Sequence, residues 1–511
     1  PYIAGILSGA GVSFAGNMHF TIFYWLVPII QEILGIASEK KYWFSDSTRY
    51  IGYHPETGDK TIHEFPSYSF ILGDLHAHVL NIIFVLTLMG ILYAWLVNYK
   101  KIHWSNYKGK KPYYVFKEII QPDTIMIGFF IGLFHMTNFW DFPIYFVVSG
   151  AVILFTLIRH YGFSKESLLI TSINAIVVIV ISELVALPFT RTFDQISSNI
   201  LRTSNHTPIY QLIILWGLFF VIIIAFITEL IQTYKMIRLL KENKSNKSFI
   251  VDFFRTIALG DLFILILGLC AIGLVFIPEL IYVEDIYSGD YKRANTMFKL
   301  TYQAFIMFGI CSGFIFIKFF KAKRYLWQKK LAIVTFLLFV STLLYTPVAV
   351  KGWYGDIRKI ENYKGLDSSL FLKEKMPEDY RGIEWIIENI ERNAIILEAN
   401  GDSYSDYQRI SVFTGNPTVL GWYVHEWLWR GDPELIDERS FDIETIYTSY
   451  DKDKVIHLID KYKIDYIYVG KLEYEKYEEI NHQALKSLGN IVYSSKSYSE
   501  NEFETYIIEV E

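Results

Sequence analysis

The chain has 511 residues, of which 52% are hydrophobic, 17% aromatic and 20% charged, and its formal net charge is −5. With only two cysteines, Cys270 and Cys311, both in apolar blocks, it is neither a disulfide scaffold nor a cysteine-rich zinc protein, and its acidic balance gives no global basic surface for a nucleic acid. The apolar residues are concentrated before Val350, which predicts a polytopic membrane protein with one soluble appendage.

Nine apolar blocks are the predicted membrane spans, because about 20 helical residues cross a bilayer core of about 30 Å. Seven have roughly that length and two are shorter; in chain order the nine are 2–16, 79–98, 124–138, 143–160, 167–189, 209–234, 253–278, 294–317 and 331–350. Segment 20–36 carries Pro28 and Glu32, so it either spans or lies at the interface, and the count of nine takes it as interfacial. The chain opens on Pro1 without a basic region, which indicates a piece of a longer chain and not a signal peptide.

Lysine and arginine in the short loops predict the orientation, since such residues favour the cytoplasmic side. Loops 99–117, 235–252 and 318–330 are rich in these residues, and the turn around Arg159 agrees with them. The opposite, extracytoplasmic side then holds the loops 37–78, 136–142, 190–208 and 279–293 of the membrane domain 1–350, together with the whole tail.

The tail, residues 351–511, mixes charged and apolar residues in alternating helix and strand patterns, which predicts a small extracytoplasmic α/β domain. Between its first two strands, polar and aromatic residues crowd at positions typical of loops. The region is either a ligand site, as loops at strand ends often are, or a membrane-docking loop that inserts tryptophans. Its candidate ligand-binding residues are Asp402, Asp406, Arg409, His425, Glu426 and Trp429.

Segment 64–78, EFPSYSFILGDLHAH, places polar residues at the mouth of the span 79–98. Asp74, His76 and His78 are costly so close to hydrocarbon unless they are paired, hydrated or metal-bound. They are candidate ligands for a divalent cation such as Mg²⁺ or Mn²⁺, and Asp74 or Glu64 is a candidate general base. The alternative is structural: Asp74 caps the helix and the imidazoles make ordinary hydrogen bonds.

The turn 137–143, TNFWDFP, puts Asn138 and Asp141 at the same predicted level. Asp141 is either a third functional carboxylate or the cap of the helix that begins near Pro143. Glu183, toward the outer end of its span, is a further candidate for the site, whereas Asp261 is predicted to make a structural hydrogen bond near the inner end of its own span.

The segment 291–299, YKRANTMFK, begins another span with two cations, Arg293 and Lys299, and with Asn295 between them. Helical spacing places Asn295 and Lys299 on one face. Cations at the outer start of a helix oppose the helix dipole, so they need a partner. That partner is either a phosphate, which suits arginine geometry, or a nearby carboxylate in the stretch 284–290.

Three of these segments, EFPSYSFILGDLHAH, TNFWDFP and RANTMFK, occur in the order that resembles the signature of the uncharacterised YYY-domain (Chlor_Arch_YYY type) membrane proteins of bacteria and archaea. The tail segments EANGDSYSDYQRISVFTGNPTVLGWYVHEWLWRG and DYIYVGKLE look like the C-terminal region of the same family. This chain departs from the family pattern in one respect. Members of that family carry an acidic upstream segment, and this sequence begins after the corresponding region.

The resemblance implies an architecture similar to that of GT-C glycosyltransferases, with many spans, outer loops and an outer C-terminal domain. It implies a multi-pass enzyme of the cell membrane that takes sugar from a polyprenyl-phosphate carrier on the outer face and passes it to a glycan or protein acceptor. In that reading Asp74, Glu64 and Asp141 are the catalytic candidates, and His76, His78, Asn138, Arg293, Asn295 and Lys299 bind substrate. Two alternatives stay open: a transporter or flippase for a lipid or polysaccharide, and a non-catalytic envelope assembly protein.

Overall fold

The computed structural model describes residues 1–511 with gaps at 37–40, 103–115, 117–118, 194–198, 241–248, 286, 288, 323–325, 360, 362–364 and 498–503. The side chains of Leu240 and Trp429 also lie outside the described part, so the candidate role of Trp429 stays a prediction. The chain forms two compact units, a membrane unit (Pro1–Phe193 with Ser197–Asp356) and a C-terminal unit (Ile357–Glu511).

The membrane unit is built from helices rich in leucine, isoleucine and phenylalanine. In chain order its elements are α1 (Tyr2–Ser13), α2 (Met18–Leu34), α3 (Pro66–Leu72), α4 (Ala77–Asn98), α5 (Pro122–Thr137), α6 (Asp141–Tyr161), α7 (Lys165–Thr190), β1 (Ile200–Arg202), α8 (Ile209–Leu240), α9 (Phe249–Thr256), α10 (Leu259–Phe276), β2 (Ile281–Val283), α11 (Ala294–Lys321), α12 (Leu326–Leu343) and α13 (Tyr345–Tyr354). Short 3₁₀ turns at Phe44–Thr48, Ile277–Glu279 and Gly289–Tyr291 connect them.

Seven stretches in the described residues are long and apolar enough to cross a membrane. They contain α4, α6, α7, α8, α10, α11, and α12 with α13. The predicted blocks 2–16 and 124–138 are helical, but α1 has 12 residues and α5 has 16, so they extend about 18 and 24 Å at 1.5 Å per residue. A polytopic helical membrane unit is therefore established, and the number of nine spans stays a prediction.

The segment 20–36 forms most of α2, a continuous apolar helix of 17 residues with a π-helical stretch at Thr21–Leu26. Its second half, Val27–Leu34, has no buried side chain. Ile33 and Leu34 are among its most exposed residues. The exposed apolar surface fits contact with lipid.

α11 is the central helix of the membrane unit, since most of its side chains between Ala294 and Phe319 are buried. It packs closely against α1, where a Cβ on Gly313 would lie only 2.4 Å from the backbone nitrogen of Ser8. The Ser8 hydroxyl also donates a 2.9 Å hydrogen bond to the carbonyl of Ile310. The close contact therefore needs glycine on α11, as small residues allow in membrane helices.

Two connecting loops of the membrane unit meet in a short antiparallel ribbon of β1 and β2, with Leu201 opposite Tyr282. The ribbon joins the start of α8 to the end of α10. It lies just before α11, and the hydroxyl of Thr296 accepts the backbone N–H of Val283 at 3.0 Å. The ribbon thus fixes the first turn of the central helix.

The C-terminal unit is a mixed α/β domain in its described residues. Its elements are α14 (Leu370–Lys375), α15 (Pro377–Asn389), β3 (Ile396–Leu397), α16 (Arg409–Thr414), α17 (Tyr423–Arg430), α18 (Pro433–Thr448), α19 (Lys452–Tyr462), β4 (Tyr466–Val469), α20 (Lys471–Lys476), α21 (His482–Lys486), β5 (Gly489–Ser494) and β6 (Tyr506–Val510). The sheet order is β3-β4-β6-β5, with β3 and β4 parallel and the other two pairs antiparallel. Isoleucine, leucine and valine side chains of β3 and β4 are buried against the helices, as expected for an α/β layer.

Candidate functional site

A sharp bend between α3 and α4 presents Asp74 at the start of a candidate span. α3 ends at Gly73, whose φ of 66° lies in the left-handed region that glycine adopts readily. One oxygen of Asp74 accepts the backbone N–H of His76 at 2.9 Å and also contacts Nδ1 of the same residue. Burial raises the pKa of Asp74, but the hydrogen bonds and charge of His76 outweigh it and hold the pKa below its usual value. Asp74 is therefore an ionised carboxylate with one oxygen tied to His76.

His78 and Glu64 face the other side of the same carboxylate. One ligand atom from each of Glu64, Asp74 and His78 lies within 4.8 Å of the other two. The imidazole of His78 is 3% exposed, and its Nε2 lies 3.7 Å from Oδ2 of Asp74 without a hydrogen-bond partner among the described residues. Arg49 donates to Glu64 at 2.7 Å, which holds that carboxylate in place. We call Glu64, Asp74 and His78 the carboxylate–histidine cluster.

Lys299 brings a positive charge to this cluster from α11. Its Nζ lies 3.4 Å from Nδ1 of His78 and 4.6 Å from the ring centre of Phe298. The ammonium interacts electrostatically with Asp141, Glu64 and Asp74. A half-buried cation thus stands beside several carboxylates at the start of α4.

Asp141 is completely buried at the first position of α6. Its oxygens accept hydrogen bonds from the amides of Asn81 at 3.0 Å and Gln303 at 2.8 Å. Gln303 in turn accepts the hydroxyl of Tyr145 at 2.6 Å. Asn138, whose carbonyl accepts the Asp141 backbone N–H, is also buried. Asp141 therefore belongs to a buried hydrogen-bond network near Lys299. In that position it can add negative charge to the site, whereas its burial keeps it from contact with a substrate.

Arg293 and Asn295 lie on the same helix as Lys299 but contact other partners. The guanidinium of Arg293 is buried and binds Asp59 at 2.6 Å and Glu279 at 3.0 Å. Asn295 donates to Asp285 at 2.9 Å. The partners of Arg293 are thus carboxylates outside the expected stretch 284–290, and these ion pairs occupy the guanidinium that we expected to be available for a phosphate.

The candidate residues of the tail belong to the C-terminal unit and form two different environments. Arg409 is buried and forms ion pairs with Asp379 at 3.0 Å and Glu473 at 2.8 Å. Its side chain therefore stabilises the fold of the C-terminal unit. His425 is half-buried with Nδ1 2.6 Å from the hydroxyl of Ser403, and its ring contacts Trp422. In the same region Asp402 and Asp406 are exposed, and Glu426 pairs with Arg430 at 2.6 Å.

Two remaining membrane residues are placed as ion pairs. Asp261 accepts the ammonium of Lys318 at 2.7 Å, in line with the structural role predicted for it. Glu183 lies 3.7 Å from His135 and is half exposed. The described contacts join neither of them to the carboxylate–histidine cluster.

Sequence reasoning missed three residues that hold candidate carboxylates in place: Arg49, which binds Glu64, and Asn81 and Gln303, which bind Asp141. Two of them carried a usable signal, because Asn81 lies three positions after His78 on α4 and Gln303 four positions after Lys299 on α11. Such spacings put side chains on one helical face. Arg49 lies 15 positions before its partner Glu64 in an irregular loop, where no periodicity exists to connect them.

The cluster and the neighbouring Lys299 together bring carboxylate, imidazole and ammonium groups into a half-buried setting. A carboxylate can accept a proton or bind a cation, and an ammonium can neutralise a phosphate. Polar groups of this kind at the end of a membrane helix are retained where they have a function or a partner.

Similarity to known proteins gives a family but no activity. Residues 1–259 and 245–308 match the family described as uncharacterized membrane proteins (DUF2298), which covers more than half of the chain. No curated protein matches the chain. The chain therefore belongs to the DUF2298 family of uncharacterized membrane proteins.

Proposed function

We propose that this protein is a membrane glycosyltransferase with a GT-C-like architecture that uses a polyprenyl-phosphate-linked sugar. The observation that carries the proposal is the position of Lys299 beside His78, Asp74 and Glu64 at the start of a candidate span. A lipid-linked sugar phosphate brings its reacting carbon to the membrane boundary. A carboxylate and a cation are needed there together, and the cluster and Lys299 supply them.

Asp74 is the proposed general base, or the residue that orients the acceptor hydroxyl. Its lowered pKa keeps it ionised near neutral pH, and His76 holds only one of its oxygens. The other oxygen faces His78. Glu64 is the second candidate, but one of its oxygens already accepts a hydrogen bond from Arg49. General base catalysis contributes typically about 10²–10⁴ in rate.

Lys299 is the proposed phosphate-binding residue, in preference to Arg293. Within the described part of the chain, its ammonium contacts an imidazole nitrogen and an aromatic face, which leaves donor capacity for a phosphate oxygen. Arg293, by contrast, already binds two carboxylates. The leaving polyprenyl phosphate gains negative charge as the sugar departs, so a nearby cation stabilises the transition state.

A divalent cation is a proposed cofactor, and the residues fit one. The fit rests on Nε2 of His78, a buried nitrogen without a described partner that points toward Asp74. Glu64, Asp74 and His78 would hold the ion, and it would supply positive charge for the phosphate or the acceptor. The mixture of imidazole and carboxylate ligands favours Mn²⁺ over Mg²⁺. Glu64 is added to the predicted ligands Asp74 and His78, whereas His76, the third predicted ligand, contacts Asp74 through its Nδ1.

The distribution of lysine and arginine supports an extracytoplasmic location for the cluster and for the C-terminal unit. The family resemblance of the YYY segments supports the same arrangement. In this proposal the surface around His425 and Trp422 belongs to the side of the membrane on which glycan or protein acceptors lie.

The test is sugar release from a panel of polyprenyl-phosphate sugars by the full chain in lipid nanodiscs. Asp74→Asn and Lys299→Met are expected to lower the rate at least about 100-fold, since each removes a charge at the reacting centre. Glu284→Gln is the matched control, because Glu284 is an exposed loop carboxylate outside the cluster.

Three results would decide against the transferase. A folded chain that releases no sugar from any donor would remove the proposal. Movement of the donor across vesicles without a covalent change would favour the flippase alternative. Equal losses in the rate of sugar release for Asp74→Asn and Glu284→Gln would show that the activity does not depend on this cluster.

A further inference from the structure

A second polar site lies toward the other end of α11. Lys318 follows Lys299 along α11, about 28 Å farther at 1.5 Å per residue. Its ammonium binds Asp261 of α10 at 2.7 Å and Glu229 of α8 at 3.5 Å. None of these three residues takes part in the proposed transfer reaction.

Among the described residues, two carboxylates share the ammonium of Lys318, and the Glu229 and Asp261 side chains are only 10% and 11% exposed. A buried carboxylate without its own cation is costly. Thr233 donates to Oε1 of Glu229 at 2.9 Å, whereas Oε2 has the 3.5 Å contact with Lys318 and accepts no hydrogen bond within the described residues.

A cavity of about 390 Å³ opens beside this oxygen. Its wall includes Glu229, Lys318, Lys321 and Gln328, and we call it the far-end cavity. Gln328 is 2% exposed, and its side-chain carbonyl likewise has no donor among the described residues. Two buried acceptors therefore line one cavity.

We propose that the far-end cavity binds the headgroup of a phospholipid that carries a primary ammonium and a phosphate, as in phosphatidylethanolamine. The ammonium supplies N–H donors to Glu229 and Gln328 and balances the extra negative charge. Lys321, an exposed cation at the cavity wall, contacts the phosphate. Basic and acidic groups in pockets between membrane helices are a known means of holding lipid headgroups.

The apolar surroundings favour a lipid over a soluble amine. Leu326 is 68% exposed and Phe320 36% exposed at the ends of the helices that line the cavity. Both α11 and α12 belong to candidate membrane spans. Exposed apolar side chains beside a polar cavity suit a molecule that has acyl chains as well as a polar head.

The experiment compares lipids that differ in one feature. Native mass spectrometry of the full chain measures bound phosphatidylethanolamine, phosphatidylcholine and phosphatidylglycerol at equal concentrations. We expect phosphatidylethanolamine to bind at least about tenfold better than phosphatidylcholine, whose methylated nitrogen has no N–H donor. Glycerophosphoethanolamine, the soluble headgroup, is expected to bind more weakly than the lipid.

Variants connect the preference to the cavity. Glu229→Gln removes the extra charge but leaves the Lys318–Asp261 pair, so we expect a folded protein that has lost the preference. Gln328→Leu is an independent second variant with the same expected direction. Glu166→Gln, an exposed carboxylate at the start of α7, is the control and keeps the preference.

The proposal is overturned if phosphatidylcholine or phosphatidylglycerol binds as well as phosphatidylethanolamine, or if both cavity variants keep the wild-type preference. Equal binding of the soluble headgroup would overturn the assignment to a lipid. Because glycosyl transfer is not measured, these results stand apart from the outcome for the proposed function.

Discussion

The Nζ of Lys299 lies 3.4 Å from Nδ1 of His78, although the two residues are 221 positions apart in the chain. An ammonium group only donates, so Nδ1 is the acceptor and the proton of the neutral imidazole lies on Nε2. A metal ion on Nε2 requires the opposite tautomer, with the proton on Nδ1. The hydrogen bond from Lys299 and a metal ion on Nε2 therefore require opposite tautomers of His78.

This opposition gives a prediction for metal affinity. Lys299→Met should bind Mn²⁺ about tenfold or more tightly than the wild type, because it removes a nearby positive charge and frees Nδ1 to carry a proton. Isothermal titration of the full chain with MnCl₂ measures the change. Lys292→Met, an exposed lysine at the start of the same segment, is the control. Weaker Mn²⁺ binding in Lys299→Met would contradict the cation site at His78.

Replacement of Arg293 is predicted to affect stability before it affects substrate. Arg293→Leu leaves Asp59 and Glu279 as partly buried carboxylates without their cation, which costs about 3–5 kcal/mol. Thermal unfolding of the full chain should show a clearly lower midpoint. Arg202→Leu, at an exposed position of β1, should change it little. A normal unfolding midpoint together with a loss of sugar-donor binding would instead support Arg293 as the phosphate-binding residue.

His63 is predicted to make the membrane unit sensitive to acid. Burial, together with the charge of Arg49, lowers the pKa of His63 to about 3 from its ordinary 6.5. The folded protein therefore excludes a proton that the unfolded chain accepts below pH 6.5. Stability from neutral His63 is complete above pH 6.5 and falls as the pH decreases toward 3, by up to about 1.4 kcal/mol per unit.

The comparison variant is His63→Gln, whose carbonyl can still accept the backbone N–H of Tyr50 that Nε2 accepts at 3.0 Å. Unfolding midpoints are measured between pH 7 and pH 4 for both proteins. The wild type should lose more stability than the variant over this range. Parallel curves would show that His63 does not contribute to the acid sensitivity.

The predicted topology is tested by cysteine labelling. Ser105→Cys lies in the lysine-rich loop 99–117 and Ser487→Cys on an exposed part of the C-terminal unit. In a background with Cys270 and Cys311 replaced by alanine, an impermeant maleimide added to whole cells should label only Ser487→Cys. Labelling of both positions from the same side would break the extracytoplasmic assignment of the C-terminal unit.

Much of the membrane unit was predictable because hydrocarbon imposes a length and a composition on each span. The blocks 79–98 and 294–317 correspond to α4 and α11. The proximity of Asp74 to His78 was also accessible, since the two residues are four positions apart where a helix begins. These features depend on neighbours in the sequence, which periodicity describes.

The partners of Arg293 and Arg409 were not predictable, because they come from distant parts of the chain. Asp59 is 234 positions from Arg293, and Glu473 is 64 positions from Arg409. A single sequence gives no signal for such pairs. The loop chemistry around Arg409 suggested ligand binding, but tertiary packing places its guanidinium in a buried ion pair.

The close packing of α1 on α11 has a consequence for biosynthesis. Ser8 and Ile310, which form a hydrogen bond, are 302 positions apart, so the ribosome completes α1 long before its partner exists. During that interval Ser8 and the neighbouring face of α1 must be accommodated by lipid or by other helices. The central helix of the membrane unit can reach its final packing only after nearly all of the unit has been inserted, which makes the approach of Lys299 to the carboxylate–histidine cluster a late event in synthesis.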